Sequence, residues 1–200
     1  MLQNDVLYEN INDNLYVPLN LALFAKEHNI HMTYIGTGCI YNYTDKKNTF
    51  SESDEPNFFG SNYSIVKGFT NLLMNHTNAL HLRIRMPIVS YNHPRNFITK
   101  ILDYKKIHSM ENSMTVLDSM IPLSIEMMIN GETGSYNFTN PGTISHNTIL
   151  TMYRDIIDPN KTWENHTIEE QNQILLSKRS NNMLDTITDA MKTVFQNWEK

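Results

Sequence analysis

The chain of 200 residues contains a single cysteine, Cys39, and only seven glycines. One thiol excludes an intramolecular disulfide and any metal site built from several cysteines. No apolar run approaches the roughly 18 residues that a membrane-spanning helix requires, so no membrane is expected. Basic residues are scarce. Sixteen Lys and Arg against 21 Asp and Glu leave a net charge of −5, the wrong sign for a nucleic-acid-binding face. The first residues, Met1 to Asn14, are polar and acidic, unlike a secretory signal. The histidines show no ligand spacing with carboxylates, so no metal is expected. These absences describe a cytoplasmic protein of a reducing compartment. Enough is present to build a core: 40% of residues are hydrophobic and 18% charged, too apolar a mixture for a disordered chain.

The pattern along the first ninety residues alternates helix and strand. Leu15 to His28 places Leu15, Leu19 and Leu23 on one helical face, with Pro18 suited only to an early turn or a kink. His31 to Ile35 reads as a strand ended by Gly36-Thr37-Gly38. A polar loop over Asn42 to Pro56 leads to a helix over Ser61 to Met74. Leu80 to Ile88 alternates Leu80, Leu82, Ile84 and Met86 against His81, Arg83 and Arg85, a strand stopped at Pro87. Such alternation predicts a parallel α/β sheet. Beyond Pro94 the pattern loosens. Helices are expected over Phe97 to Lys105, Leu117 to Asn130 and Ser145 to Asp155, the last capped by Ser145. A strand is expected over Ser135 to Thr139, before an Asn140-Pro141-Gly142 turn. Thr167 and Glu170 form a capping box for a further helix. A division near residue 90 separates a sheet-forming part, 1–90, from a smaller α+β part, 91–200.

One pattern carries chemistry. Tyr63-Ser64-Ile65-Val66-Lys67 is Y-x-x-x-K on a helix, and side chains four residues apart share a face. An ammonium beside a phenol favours phenolate and lowers the tyrosine pKa from about 10. Such a tyrosine can exchange a proton with a carbonyl or alcohol. Thr37 stands just past a strand end, where open α/β sheets place ligands, and its hydroxyl would reach the same substrate oxygen.

A hydroxyl after one strand, then Y-x-x-x-K opening the next helix, then another strand resembles the extended short-chain dehydrogenase/reductases. The resemblance narrows through Gly36-Thr37-Gly38-Cys39-Ile40-Tyr41, Asn57-Phe58-Phe59-Gly60-Ser61 and Leu82-Arg83-Ile84-Arg85-Met86-Pro87-Ile88. Four further segments continue it: residues 94–101, 112–118, 137–142 and 179–182. Together they are similar to the nucleotide-rhamnose epimerase/reductase family, relatives of the dTDP-4-dehydrorhamnose reductases, over about Asp13 to Asp185. The resemblance implies a partial Rossmann-like sheet with a small α+β substrate-binding part. It also implies 3,5-epimerisation and 4-reduction of a UDP- or dTDP-linked 4-keto-6-deoxyhexose. Thr37, Tyr63 and Lys67 would form the reductase triad, and Cys39 and Lys100 the epimerase acid/base pair. Arg85 and Pro87 would join Tyr63 and Lys67 against NADPH or NADH. Arg95, Asn96 and Arg179 would hold the substrate.

The chain departs from that family in one respect. It contains no G-x-G-x-x-G or G-x-x-G-x-x-G, the turn whose amides and helix dipole seat a dinucleotide pyrophosphate. The first strands of the sheet are therefore expected to be missing, with the cofactor's pyrophosphate site. A homodimer or a complementing chain is a possible partner. The alternatives to a complete epimerase/reductase are a non-catalytic or split nucleotide-sugar-binding fragment, or a plain dTDP-4-dehydrorhamnose reductase. Cys39 and Lys100 weigh against the last.

Overall fold

The computed structural model describes residues 7–42, 49–166 and 184–199. The chain opens with α1 (Leu7–Ile11), a π-helical turn over Asn12–Tyr16 and α2 (Val17–Glu27). Pro18 falls in the first turn of α2, which continues directly from the π-helical turn. Its missing N–H leaves the Asn14 carbonyl four residues back to other donors, and the Tyr34 and Thr70 hydroxyls donate to it. The buried stripe of α2 is Pro18, Ala22 and Ala25, whereas Leu23 and Phe24 face outward. Of the expected leucine face, Leu15 and Leu19 are half-buried and only Leu23 is exposed, because the buried stripe runs through the small side chains beside it.

Strand β1 (Thr33–Thr37) runs two residues later than the sequence pattern indicates. Gly36 does not end it. A Cβ at Gly36 would lie 2.1 Å from His81 Nε2, so glycine here admits the histidine of the neighbouring strand. Helix α3 (Asn62–Met74) is capped by Ser61, whose side chain accepts from the Ser64 N–H. Strand β2 (Leu80–Ile84) pairs parallel to β1, and Pro87 does not stop the chain's pairing: β3 (Pro87–Ile88) continues in a second sheet. Short elements follow: α4 (Phe97–Leu102), β4 (Lys106–Ile107), β5 (Glu111–Asn112) and β6 (Thr115–Val116). Next come α5 (Leu117–Ile129), β7 (Gly134–Asn137), β8 (Ile144–Ser145), α6 (His146–Ile156), β9 (Glu164–Asn165) and α7 (Ile187–Gln196). Ser145 caps α6 as its sequence predicts. The Thr167–Glu170 capping box lies outside the described residues.

The main sheet is parallel, in the order β1-β2-β7. It draws its third strand from beyond residue 90, so the division there does not follow the sheet. Leu80 and Leu82 turn one face of β2 toward Met120 and Met127 of α5. On the other face, Tyr34, His81 and Ser135 form a row across the three strands, with Arg83 beside it, bonded to Asn71 of α3. Helices therefore cover both faces, and the whole of β2 is buried up to Arg83. A second apolar cluster gathers Ile88, Ile98, Ile107, Val116, Ile149 and Phe195. It joins β3, β6, α4, α6 and α7 into a body beside the C-terminal ends of the main strands.

Candidate active site

Parallel sheets with helices on both faces bind ligands in the crevice beyond the strand ends. Thr37 is the last residue of β1. After it the chain turns, and the Gly38 N–H reaches the Ile84 carbonyl at the end of β2 (3.1 Å). The Cys39 N–H donates to Thr37 Oγ1 at 3.1 Å, which ties a hydroxyl and an exposed thiol into one turn. Tyr63, in the first turn of α3, comes to the same place. Burial raises its phenol pKa, the Cys39 charge adds to the rise, and hydrogen bonding from Thr37 opposes it.

Lys67 departs from its expected part. Its ammonium lies 6.0 Å from the Tyr63 ring centroid and donates instead to the Tyr34 hydroxyl at 2.7 Å. The i,i+4 spacing brings it near Tyr63, but Tyr34 on β1 captures the charge. Tyr63 is consequently not shifted toward phenolate. Lys67 itself is nine-tenths buried, and that desolvation lowers its pKa to about 8. Tyr34 escaped the sequence reading. The only signal for it was its place on the strand that also carries Thr37.

Arg85, expected beside the cofactor, directs its guanidinium to Cys39, with an N–H donating to Sγ at 3.9 Å. Its backbone is pinned by Thr115: the Arg85 N–H donates to Thr115 Oγ1 (3.0 Å), which in turn donates to the Phe138 carbonyl (2.7 Å). One buried hydroxyl thus stitches the end of β2 to the end of β7. Met86, between Arg85 and Pro87, has φ +44°, a left-handed conformation uncommon outside glycine. Pro87 is half-buried and pairs with Thr115.

The remaining expected residues separate. Asn96 caps α4. Its amide donates to the Val89 and Tyr91 carbonyls (2.9 and 2.8 Å), and its oxygen accepts from the Ile98 and Val89 N–H groups (3.3 and 3.4 Å). Those four bonds leave it no capacity for substrate, so it positions the loop before α4. Arg95 and Lys100 are exposed, and Lys100 makes no side-chain hydrogen bond or ion pair that would join it to Cys39. Arg179 lies outside the described residues. His146 was missed, because its sequence context signals only a helix start. It is 5% exposed, and neither ring nitrogen has a hydrogen-bond partner. Burial, then the charges of His108 and Arg85, lower its pKa to about 4. No group of His, Cys, Asp or Glu among the described residues is arranged to hold a metal, and no described helix is long and apolar enough to cross a membrane.

No protein-family model matches the chain. Protein L780 of Acanthamoeba polyphaga mimivirus is 55% identical over 199 residues, which cover 96% of this chain and 68% of that protein. The bifunctional dTDP-4-dehydrorhamnose 3,5-epimerase/dTDP-4-dehydrorhamnose reductase of Arabidopsis thaliana is 47% identical over 194 residues, covering 94% of this chain and 64% of that one. The crystal structure of the L780 UDP-rhamnose synthase superposes with a TM-score of 0.90 and 46% identity, covering 98% of this chain and 74% of that chain. A dTDP-4-dehydrorhamnose reductase from Clostridium acetobutylicum superposes with a TM-score of 0.76 at 16% identity, covering 92% and 71%, a likeness of fold. The parallel sheet between helices is the Rossmann-like fold of these reductases. The chain spans about two thirds of the length of both relatives matched in sequence.

Proposed function

The chain belongs to the nucleotide-rhamnose epimerase/reductase family, and from that premise we propose that it converts a nucleotide-linked 4-keto-6-deoxyglucose to nucleotide-linked L-rhamnose. The supporting observation is the meeting of Thr37, Cys39 and Tyr63 at the end of β1. The protons on C3 and C5 of such a sugar are acidic because both carbons flank the C4 ketone. Thr37 binds the C4 oxygen, and Cys39, on the same turn, exchanges a proton with a carbon next to it. Tyr63 then gives its proton to O4. Its raised pKa keeps it a neutral phenol, the form that reduction of a ketone needs. Lys100 is the second epimerase group by family resemblance.

NADPH or NADH supplies the hydride when bound. The buried Lys67 ammonium, held among the described residues by one phenol and no carboxylate, fits a ligand's hydroxyls, and with Tyr63 it would hold the ribose. Arg95 and Arg179 remain the substrate-binding candidates. A working thiol at Cys39 suits a reducing cytoplasm.

The test uses UDP- and dTDP-linked 4-keto-6-deoxyglucose in D₂O. Deuterium exchange at C3 and C5 consumes no hydride, so it reads epimerisation independently of the cofactor. Cys39→Ala is expected to abolish exchange at one of these carbons, with reduction of an already epimerised substrate retained. Tyr63→Phe is expected to spare exchange and slow reduction by about 10²–10⁴-fold. Full exchange at both carbons in folded Cys39→Ala would remove the epimerase assignment.

A further inference from the structure

Two arginines stand on the same segment, and the structure treats them differently. Arg83 is wholly buried and well supplied. Its Nε donates to Asn71 Oδ1 (2.7 Å), and its terminal N–H groups reach the Tyr41 hydroxyl (3.0 Å), Asn137 Oδ1 (3.4 Å) and the Glu52 carbonyl (3.2 Å). The carboxylates of Glu52 and Asp54 add favourable charge. Arg83 is a structural anchor for the loop over residues 49–56.

Arg85 has none of this. It is 4% exposed, its Nε is buried without a partner, and among the described residues no carboxylate offsets its charge. Its one side-chain hydrogen bond runs to Cys39 Sγ. On the α6 side it faces His146, whose ring burial keeps neutral. A buried cation without a counter-ion is costly, and among the described residues the group in contact that can become an anion is the Cys39 sulfur.

We propose that Arg85 is the positioning residue of the epimerase thiol: it fixes Sγ and supplies the counter-charge for the thiolate. The inference rests on the acid/base role given to Cys39 above. When Cys39 protonates the enolate, the S–H bond breaks and a C–H bond forms at the carbon beside C4. The enolate's electron pair enters that bond and the C4 carbonyl re-forms. The sulfur is left as thiolate, and the Arg85 guanidinium beside it balances the charge. In the opposite direction the thiolate takes a carbon-bound proton and Arg85 is released from its pairing. The guanidinium touches neither substrate nor cofactor in this scheme.

Cys39 is the only cysteine, so alkylation by iodoacetamide at pH 7 reads its thiolate directly. Arg85→Gln is expected to slow alkylation about tenfold or more, the size of effect given by one charge near a thiol, and to slow deuterium exchange in proportion. Arg85→Lys, which keeps the charge, is expected to stay within about threefold of wild type in alkylation. Because the thiol is already exposed, loss of structure would also slow alkylation by removing the cation, so each variant is first shown to be folded by circular dichroism. A second measurement needs no change at the buried position. In Cys39→Ser, the Arg85 side-chain N–H signals in the NMR spectrum are expected to move. Wild-type alkylation rates in Arg85→Gln, or unmoved Arg85 signals in Cys39→Ser, would overturn the inference. If instead alkylation responds to Arg85 while Cys39→Ala still exchanges at both carbons, the pairing stands and the epimerase role of Cys39 falls.

Discussion

His81 and His146 are 2% and 5% exposed, and both are held neutral. Burial, followed by the charges of Arg83 and Lys67, lowers the His81 pKa to about 3; His146 lies at about 4. In the unfolded chain both would titrate near 6.5. As pH falls below 6.5, the unfolded state takes up protons that the folded state refuses, so stability is lost from there down toward about 4 and 3. The denaturant midpoint is expected to be lower at pH 5.5 than at pH 7.5. Coincident midpoints would show that neither ring is buried neutral. Little of this was legible in the sequence. Y-x-x-x-K correctly brought Lys67 near Tyr63, but its partner Tyr34 lies 33 residues away in sequence and no local spacing announces it. Arg83 and Arg85 sit on the polar side of an alternating strand, which suggests solvent. The fold buries Arg83 beneath α3 on one face of the sheet and Arg85, one residue past β2, against Thr115 and His146 of α6.

Helices α2 and α3 present apolar side chains that nothing among the described residues covers. Val17, Leu21 and Phe24 share a face of α2, and Phe69 and Leu73 share one of α3, all between 39% and 55% exposed. The two helices pack on one another, so these side chains stand on adjoining surfaces. If a second copy covers them, as a homodimer would, the wild-type chain runs as a dimer by light scattering. The pair Phe24→Glu and Phe69→Glu is then expected to give a folded monomer. A wild-type monomer at tens of micromolar would exclude this interface. Element boundaries were readable where a side chain caps a helix, as Ser61 and Ser145 do. They were not readable in the two-residue strands β3 to β6, which are too short to show any period.

At the scale of the molecule, the α/β class followed from the alternation in the first ninety residues, but the partition did not. The core under α5 belongs with the sheet, and the second core links residues as far apart as Ile88 and Phe195. Such long-range pairings leave no trace in local composition. The sequence also contains no G-x-G-x-x-G or G-x-x-G-x-x-G, a turn whose amides and helix dipole contribute much of a dinucleotide's binding. The 200-residue chain is therefore expected to bind NADPH weakly, with no saturation at low-micromolar concentration in a fluorescence titration. Tight binding would show that another part of the chain seats the phosphates.

The strand order β1-β2-β7 also governs how the chain emerges during synthesis. His81 and Ser135, neighbours across β2 and β7, are 54 residues apart. Until β7 and α5 have left the ribosome, Leu80 and Leu82 have no cover on their apolar face, and one edge of β2 remains open. Pairings of such span form slowly, and open edges with apolar faces invite association in the interval. A nascent chain stopped before Leu117 should thus bind holding chaperones that release it once residue 138 is clear.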